Sequence, residues 1–362
     1  MKIVITSLKY NIGHYSHLAA YYRLFEKLGF EPIFLIHKSY YKLDTNNDYQ
    51  KISEKRIFKL ESCNYLFIYS PSFKNIIIQI LFKFFYKCKI VYVFHEPFDS
   101  VKTYLSSGFS RKRVAMLFLN HLYHKAVIKL TSIVILPSKS SMDAFGKRFS
   151  LYKKDKYQTS LIFNDELKEE NENILNKKYI SYIGTISADH AFSEYLNFAM
   201  YCAENGLLRG ITFLIASKNF LDSEQMSKVS KYVESGNIKL LVGKPLMTEE
   251  INRCFAESAV VWNAYHRSMQ SGVLPKAFMF KTPVIILRKN DNEFVEEGKT
   301  ALLLNSNTDF IEISEAIKKI VENQVFYSEN CRNSFIQYFF NESKTEEYKK
   351  IFKISDIETK SL

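Results

Sequence analysis

Cysteines are few and show no pairing pattern. The five cysteines are odd in number and scattered along 362 residues, without one C-x-x-C pair. Disulfide frameworks use an even number of cysteines, and zinc sites use closely spaced cysteine and histidine pairs. We therefore expect free thiols in a reducing compartment and no zinc site.

Long apolar runs are also missing. The longest apolar stretch, residues 75–94, is interrupted by Lys83, Lys87 and Lys89, whereas a membrane-spanning helix needs about 20 apolar residues in succession. The N-terminus runs directly into a strand-like segment and lacks the apolar core and cleavage site of a signal peptide. These absences predict a cytoplasmic protein without a transmembrane helix.

Acidic residues are scarce in the first half. Residues 1–165 hold 26 Lys and Arg against 11 Asp and Glu, a net charge of +15, and the remainder holds 24 against 27. A basic half of this kind favours an anionic partner, either nucleic acid, an acidic membrane surface or a phosphorylated substrate. With one tryptophan and no nucleic-acid-binding motif, we do not expect nucleic acid.

Short apolar segments alternate with helical segments in two series. Strands are predicted in the first series at 2–8, 32–37, 65–70, 90–94, 132–138 and 159–163. They are predicted in the second series at 179–184, 211–217, 238–243, 259–264, 282–287 and 301–304. Strands that alternate with helices form parallel sheets covered on both faces. The fold class predicted is α/β, with two Rossmann-like, doubly wound parallel-sheet domains.

The domain boundaries follow from where this pattern breaks. Residues 164–178 are polar and interrupt the alternation, which restarts at 179. We predict domains at 1–165 and 166–332, then a C-terminal helical segment at 333–362 that can cross back onto the first domain. Ligands of such sheets bind outside the carboxyl ends of the strands.

Residues 268–285 hold the clearest candidate for a phosphate site. A helix is predicted to begin at Ser271-Gly272 after a buried strand. A helix N-terminus offers unpaired N–H groups, and a glycine lets an anion approach them closely. Arg267 and Lys276 lie nearby in sequence as charge partners. An ordinary turn and helix cap explains the same residues equally well.

The second half resembles a known family. The segments 182–184, 238–264, 271–285 and 293–304 follow the order of motifs in the donor-binding half of GT-B glycosyltransferases of family 4 (group 1). The resemblance covers residues 179–305, and the first half only by architecture. It implies two domains facing across a cleft and a nucleotide-sugar donor. The donor-binding residues that it implies, with the basic replacements discussed below, are Gly13, Gly184, Thr185, Gly243, Lys244, Arg267, Ser271, Gly272, Val273 and Lys276.

The first half holds segments similar to the family's sugar-facing loops. The segment 91–100 resembles a strand followed by a histidine that faces the donor sugar, which assigns this place to His95. His14, beside Gly13, is the candidate for acceptor binding. If the enzyme inverts configuration, His95 or Glu96 becomes the candidate catalytic base. A hydrogen-bonded structural histidine at a strand end is the alternative interpretation of His95.

The sequence departs from the family at the diphosphate. Thr185 stands where the family has arginine, and the family's two glutamates fall at Ser268 and Lys276. A lysine only donates hydrogen bonds, so Lys276 cannot accept from a ribose hydroxyl. Arg267, Lys276 and Lys244 are the candidate replacements for the missing basic residues. No D-x-D motif occurs, and GT-B enzymes neutralise the leaving diphosphate without it, so no metal and no cofactor are expected.

A basic and aromatic helix is predicted at 106–130. Arg111, Lys112 and Arg113 precede a run of apolar residues, a pattern typical of helices that lie on an anionic membrane surface. A core-packing helix with a solvated basic end is the alternative. In the first interpretation the protein is cytoplasmic and peripheral on the inner face of the cell membrane.

Together these features favour a metal-independent hexosyltransferase. It would move a sugar from a nucleotide-sugar to a saccharide acceptor, lipid-linked and part of a surface polysaccharide, with retention of configuration as the resemblance implies. Two alternatives remain open. One is a nucleotide-sugar epimerase or a catalytically silent GT-B partner subunit, and the other is a basic protein that binds an anionic polymer.

Overall fold

The chain forms two compact units. The computed structural model describes residues 1–44, 48–70, 72–95, 97–167, 177–267, 271–290 and 293–354. Unit 1 comprises Met1–Thr103, Ser110–Asn164 and the chain from Tyr338 onward, and unit 2 comprises Tyr104–Phe109 and Asp165–Gln337. Of the polar segment 164–178, where we predict the linker between the domains, residues 168–176 lie outside the described residues.

Unit 1 is built on a parallel sheet. Its described residues form six strands, β1 (Lys2–Ser7), β2 (Glu31–Ile36), β3 (Tyr65–Ile68), β4 (Lys89–Val93), β5 (Ile133–Leu136) and β6 (Asp155–Gln158). Their order in the sheet is β2-β1-β3-β4-β5-β6, the doubly wound order in which helices cover both faces.

Unit 2 repeats this architecture with a different strand order. Its strands are β7 (Tyr179–Ile183), β8 (Thr212–Ser217), β9 (Ile238–Val242), β10 (Ser258–Asn263), β11 (Val284–Leu287) and β12 (Ala301–Leu304). In the described part of the unit they are arranged as β12-β11-β10-β7-β8-β9, all parallel. The predicted α/β class with two doubly wound parallel sheets is confirmed.

Helices connect the strands. They are α1 (Tyr15–Lys27), α2 (Asn75–Phe85), α3 (Val101–Ser106), α4 (Arg111–Leu130), α5 (Lys139–Arg148), α6 (Phe192–Glu204), α7 (Ser223–Glu234), α8 (Thr248–Ala256), α9 (Val273–Met279), α10 (Phe310–Glu322), α11 (Gln324–Tyr338) and α12 (Thr345–Phe352). No helix in the described part of the chain is long and apolar enough to span a bilayer.

Both faces of the unit 1 sheet are buried because neighbouring residues of a strand point to opposite sides. Ile3 and Ile5 of β1 belong to the core that includes residues of α1 and α12. Val4, between them, belongs to the core that includes residues of α2, α4 and α5. The near-continuous apolar strands of the sequence therefore reflect double-sided burial.

One predicted strand was wrong, and a contact with the tail of the chain explains it. The sixth strand of unit 1 is Asp155–Gln158, an exposed edge strand, and not residues 159–163. Phe163 instead donates its N–H to Phe339 O (2.8 Å) and accepts from Asn341 N (3.0 Å), outside the sheet. This pairing lies between α11 and α12, so the described part of the predicted C-terminal helical segment consists of the end of α11 and then α12. Leu161, Ile162 and Phe163 are apolar because they are buried, and not because they belong to a strand.

The last helix contributes to the core of unit 1. Tyr348 of α12 is fully buried, and its hydroxyl lies 3.1 Å from the Tyr21 hydroxyl of α1. We expect Tyr348→Ala to lower the free energy of unfolding of unit 1 by about 3 kcal/mol, because a buried aromatic ring is lost. Tyr348→Phe, which loses only the hydroxyl contact, should cost about 1 kcal/mol. Urea unfolding followed by hydrogen–deuterium exchange of unit 1 peptides measures both; equal costs would contradict the packing role.

Candidate functional site

Each sheet has one switch point, where the chain leaves adjacent strands in opposite directions. In unit 1 it lies between β1 and β3, and in unit 2 between β7 and β10. The loops diverge there at the carboxyl ends of the strands and leave a crevice, which is where ligands of doubly wound sheets bind. In unit 1, Gly13 and His14 lie on the loop after β1, and His95 follows β4. In unit 2, Gly184 follows β7 and Gly272 ends the loop after β10, whereas Gly243 follows β9.

In unit 1 the structure brings the two predicted histidines together. His14 ends a 3-10 turn (Ile12–His14) after β1, and His95 follows β4. Their rings are nearly parallel, with centroids 6.3 Å apart. Tyr69, which directly follows β3, packs edge-on against both rings, at 5.3 Å from His14 and 4.7 Å from His95. Sequence reasoning missed Tyr69, whose signal is its place at the end of a buried strand beside the switch point.

The hydrogen bonds of His95 fix where its proton lies. Its Nε2 is 2.8 Å from the carbonyl oxygen of Tyr69, and because a carbonyl only accepts, Nε2 carries the hydrogen. The other ring nitrogen, Nδ1, therefore keeps a lone pair in the neutral ring. Burial lowers the pKa of His95 to about 4, with the Tyr69 hydrogen bond acting in the opposite direction. The imidazole is neutral at pH 7.

His14 has the complementary arrangement. Asn11 Oδ1 accepts from Gly13 N (3.2 Å), so Asn11 Nδ2 donates to His14 Nε2 (3.2 Å). A neutral His14 then carries its hydrogen on Nδ1, which is buried and has no hydrogen-bond partner among the described residues. Burial, then His95 and Lys9, lower the pKa of His14 to about 3. The pair offers one N–H donor and one lone pair to a hydroxyl-bearing ligand.

Gly13 and Glu96 are the remaining predicted site residues of unit 1. Gly13 is not in the left-handed region, and a Cβ there would lie 3.6 Å from Asn11 Oδ1, an ordinary contact. The fold therefore accepts a side chain at this position, and the predicted role of Gly13 rests on ligand approach alone. Glu96, the second candidate base, lies outside the described residues.

In unit 2 the end of β7 lies against the start of α9. Gly184 has φ +143°, and a Cβ added to it would point to Val273 Cγ2 at 3.9 Å. Gly272 caps α9, and Val273 N donates to Ser271 Oγ (3.1 Å). The structure therefore brings four predicted residues, Gly184, Ser271, Gly272 and Val273, to the switch point between β7 and β10.

Hydrogen bonds hold the loops at this edge in place. The carbonyl of Thr185 accepts from the Tyr182 hydroxyl (2.6 Å) and from His190 Nδ1 (3.2 Å). Asn219 Oδ1 accepts from Ile186 N (3.3 Å), while its backbone carbonyl accepts from Gly243 N (3.2 Å). The loops after β7, β8 and β9 are thus tied together, and Asn219, which sequence reasoning did not identify, joins them.

Gly243 is glycine for a steric reason. Its φ is +87°, and a side chain there would collide with the ring of Phe220. The Phe220 ring thus covers the Gly243 backbone. Because Phe220 is 76% exposed, the other face of its ring is open to solvent at the carboxyl edge of the sheet. Next to it, the exposed Lys244 ammonium lies 3.8 Å from the Glu250 carboxylate.

Lys276 differs from its expected surroundings. The residue is 8% exposed, and its Nζ lies 2.6 Å from Glu166 Oε2 and 2.9 Å from Asn252 Oδ1. Burial lowers its pKa, and Glu166 opposes that shift. The ammonium already has a carboxylate partner inside unit 2, which argues against its predicted role as a diphosphate ligand.

Two further groups lie on the segment after β10. The guanidinium of Arg267 lies over the Tyr104 ring, 4.8 Å from its centroid. His266 Nε2 is 2.9 Å from Glu194 Oε1, a contact that lowers the pKa of Glu194. No sequence spacing connected His266 with Glu194, since the fold alone brings α6 against this loop. Ser268, at one of the family's glutamate positions, lies outside the described residues.

The described residues contain no group of three or more His, Cys, Asp and Glu side chains arranged to hold a metal ion. The independence from metal remains a prediction.

The neutral histidine pair predicts a pH dependence of stability. The pKa of His95 lies below the ordinary value of 6.5 in the folded state, so the unfolded chain binds more protons between pH 6.5 and about 4. Stability should therefore be complete above pH 6.5 and decrease as the pH falls through this window. His95→Gln keeps a donor for the Tyr69 carbonyl and removes the titration.

Calorimetric melting at a series of pH values compares the two proteins. The variant should melt near the wild type at pH 7 and lose less stability between pH 6.5 and pH 4. Parallel curves for the two proteins would contradict a buried, neutral His95.

The ion pair of Lys276 predicts a structural effect of its removal. Lys276→Met leaves the Glu166 carboxylate without its partner and should lower the free energy of unfolding by about 3 kcal/mol. The double variant Lys276→Met/Glu166→Gln should recover most of this loss. Affinity of the folded single variant for UDP, measured by titration calorimetry, should stay within about twofold of the wild type. A tenfold loss of UDP affinity without loss of stability would instead make Lys276 a diphosphate ligand.

Comparison with known proteins gives structural matches only. No family model matches the chain, and no curated protein does. HepE of Anabaena, in a crystal structure with UDP and glucose, matches with a TM-score of 0.71 and 12% identity over 98% of this chain and 100% of that chain. A glycosyltransferase from Rickettsia africae matches with a TM-score of 0.68 and 12% identity, over 98% and 99%. Sucrose-phosphate synthase from Thermosynechococcus elongatus matches with a TM-score of 0.66 and 13% identity, over 98% and 100%.

At such low identity the likeness shows the fold alone. The matches run along nearly the whole of each chain, and they include both parallel sheets of this protein. Membership of family 4 remains a prediction. The chain has the GT-B fold.

Proposed function

We propose that the protein is a glycosyltransferase that moves a sugar from a nucleotide-sugar to a saccharide acceptor. The observation that carries the proposal is the carboxyl edge of unit 2, where Gly184 lies against the start of α9 at the switch point of the sheet. Backbone N–H groups without a side chain beside them suit a diphosphate. The GT-B matches include HepE structures with UDP and with UDP-glucose, which supports a nucleotide-sugar as the donor.

Unit 2 supplies the donor site in this proposal. The N–H groups of Thr185, Ser271 and Gly272 are the backbone donors for the diphosphate. Gly184 N already donates to Ala216 O (3.0 Å) and Val273 N to Ser271 Oγ (3.1 Å), so Gly184 and Val273 only shape the space beside these donors. The loop of Gly243 and Lys244, with the exposed Phe220 ring, suits the nucleoside, and Arg267 adds positive charge. Lys276 holds α9 in position through its buried ion pair.

Unit 1 supplies groups for the sugar and the acceptor. The His14 Nδ1 hydrogen can donate to a sugar or acceptor hydroxyl, and the His95 Nδ1 lone pair can accept from one. During transfer the bond between the anomeric carbon and the phosphate oxygen breaks, and a bond from the acceptor oxygen to that carbon forms. We propose retention of configuration, with the acceptor's proton passing to the leaving phosphate oxygen and no metal required. In an inverting enzyme the His95 Nδ1 lone pair would take this proton.

The acceptor in this proposal is a lipid-linked saccharide of a surface polysaccharide. Such an acceptor requires contact with a membrane, and Arg111, Lys112 and Arg113 lie exposed in the first turn of α4. Anionic lipid attracts each nearby Lys or Arg by about 1 kcal/mol. The protein would then be cytoplasmic and peripheral on the inner face of the cell membrane.

A catalytically silent GT-B partner subunit is the second candidate. It is favoured by Thr185 at the family's arginine position and by Lys276, which replaces the ribose-binding glutamate and is paired internally. A nucleotide-sugar epimerase would use the same donor edge without an acceptor. A basic protein that binds an anionic polymer would need neither a nucleotide-sugar donor nor a saccharide acceptor.

A panel of UDP-, GDP- and CMP-sugars tests the proposal. We expect release of nucleotide from one donor, strongly accelerated by a saccharide acceptor, and a new glycoside whose anomeric configuration NMR can assign. An epimerase would convert the donor without acceptor. Binding without turnover would support the silent subunit, and no binding of any nucleotide would overturn the donor site.

Gly184→Ala tests the donor edge directly. A Cβ there is strained by the positive φ and occupies the side that faces Val273, so we expect at least a tenfold loss of nucleotide affinity. Gly210→Ala is the matched control, since Gly210 is also in unit 2, has φ +83° and has no described atom within 4 Å of an added Cβ. Equal affinities of the two folded variants would remove Gly184 from the site.

A further inference from the structure

Helix α2 carries apolar side chains on its solvent face. Phe73, just before the helix, and Ile77, Ile80 and Phe84 recur at spacings of three and four residues, and they are 78%, 62%, 41% and 71% exposed. The opposite face, with Ile78 and Phe82, is buried in the core. A helix on the surface of a soluble protein normally has one apolar stripe, directed to the core. In the described part of unit 1 the second stripe of α2 is therefore a largely exposed apolar surface.

Helix α4 extends this surface. Met116, Leu119 and Leu122 are 56%, 63% and 48% exposed, while Val114 and Ile128 on the other side of the helix are buried. Exposed apolar residues on two helices form a larger patch if the helices are neighbours.

Hydrogen bonds and ring packing show that α2 and α4 are neighbours. Gln79 Nε2 donates to Val127 O (3.3 Å) and to Thr131 Oγ1 (3.2 Å), and the Phe73 and Tyr123 rings lie 5.2 Å apart. The two outer stripes thus adjoin near Phe73, with the α4 stripe continuing beyond the start of α2. The α2–α4 face is defined by Phe73, Ile77, Ile80, Phe84, Met116, Leu119 and Leu122.

The segments that form this face are rich in basic residues. Residues 72–89 and 111–130 contain nine Lys and Arg and no Asp or Glu. Two of them have other contacts: Lys74 pairs with the Glu54 carboxylate (2.8 Å), and Lys89 lies over the Tyr65 ring on the other side of the sheet. The other seven are Lys83, Lys87, Arg111, Lys112, Arg113, Lys125 and Lys129. Two copies of so basic a face repel each other, so a second copy of the chain is disfavoured. An apolar stripe next to basic residues instead matches a lipid bilayer, whose headgroups are anionic and whose acyl chains beneath them are apolar.

We propose that the α2–α4 face docks on an anionic lipid bilayer. The apolar side chains enter the boundary between headgroups and acyl chains, and the flanking lysines and arginines contact the lipid phosphates. The main inserting element is α2, which sequence reasoning did not assign to the membrane, and Arg111, Lys112 and Arg113 add attraction from one end of α4. The inference deepens the proposed function, on whose lipid-linked acceptor it rests. Vesicle binding needs neither donor nor acceptor, so its failure and the failure of sugar transfer are seen separately.

Flotation with vesicles tests the proposal on the full chain. Vesicles of phosphatidylcholine with phosphatidylglycerol are compared with vesicles of phosphatidylcholine alone, at low and at high salt. We expect the wild type to float with the anionic vesicles at low salt only. Ile77→Glu/Phe84→Glu should reduce the bound fraction at least tenfold, and Arg111→Glu/Lys112→Glu/Arg113→Glu should reduce it too. Ile311→Glu/Phe326→Glu is the matched control, because these unit 2 residues are 52% and 50% exposed; it should bind like the wild type.

Three results would overturn the proposal. One is no flotation of the wild type at low salt. Another is equal loss of binding in the Ile77→Glu/Phe84→Glu variant and the unit 2 control. The third is a wild-type dimer in sedimentation velocity that Ile77→Glu/Phe84→Glu dissociates without changing flotation, which would make the face an interface between copies. Circular dichroism and melting temperature of each variant confirm that it is folded.

Discussion

The candidate site depends on the strand order of the two parallel sheets. In a parallel sheet all carboxyl ends meet at one edge, and a reversal of strand order opens that edge to a ligand. Unit 1 reverses between β1 and β3, and unit 2 between β7 and β10. Tyr69 in unit 1 and Gly184 in unit 2 stand directly beyond these strands, and His14 lies on the loop after β1. The buried strands thus place residues that are far apart in sequence within contact distance.

The carboxyl edges of the two sheets differ in their electrostatics. In unit 1 burial keeps both imidazoles neutral, and their hydrogen bonds leave one N–H and one lone pair for a ligand. Neutral donors and acceptors suit hydroxyl groups, which carry no charge. In unit 2 the fold uses the Lys276 charge internally against Glu166. Its backbone at Gly184 and the start of α9 is then the chief feature suited to an anion, and this is consistent with the missing basic residue at Thr185.

Sequence periodicity was sufficient to predict the strands of both sheets, but it could not predict the side-chain contacts between elements. Eleven of the predicted strands overlap strands of the structure because double-sided burial leaves a near-continuous apolar run. Residues 159–163 failed because Phe163 is buried but pairs with the tail. Gly184 and Gly243 were recognisable from motif order, whereas Tyr69, Asn219 and the Lys276–Glu166 pair depend on distances between elements that no local pattern encodes. The apolar outer stripe of α2 was visible as a hydrophobic run, but only the structure shows which side of it is exposed.

The central claim is that the carboxyl edge of unit 2 binds a nucleotide diphosphate. Hydrogen–deuterium exchange of the full chain, with and without saturating UDP, tests it most directly. The account predicts slower exchange of the backbone amides after β7, at Gly184–Ile186, and at the start of α9, at Gly272–Leu274. UDP binding that leaves these amides unchanged and protects another part of the chain would contradict it.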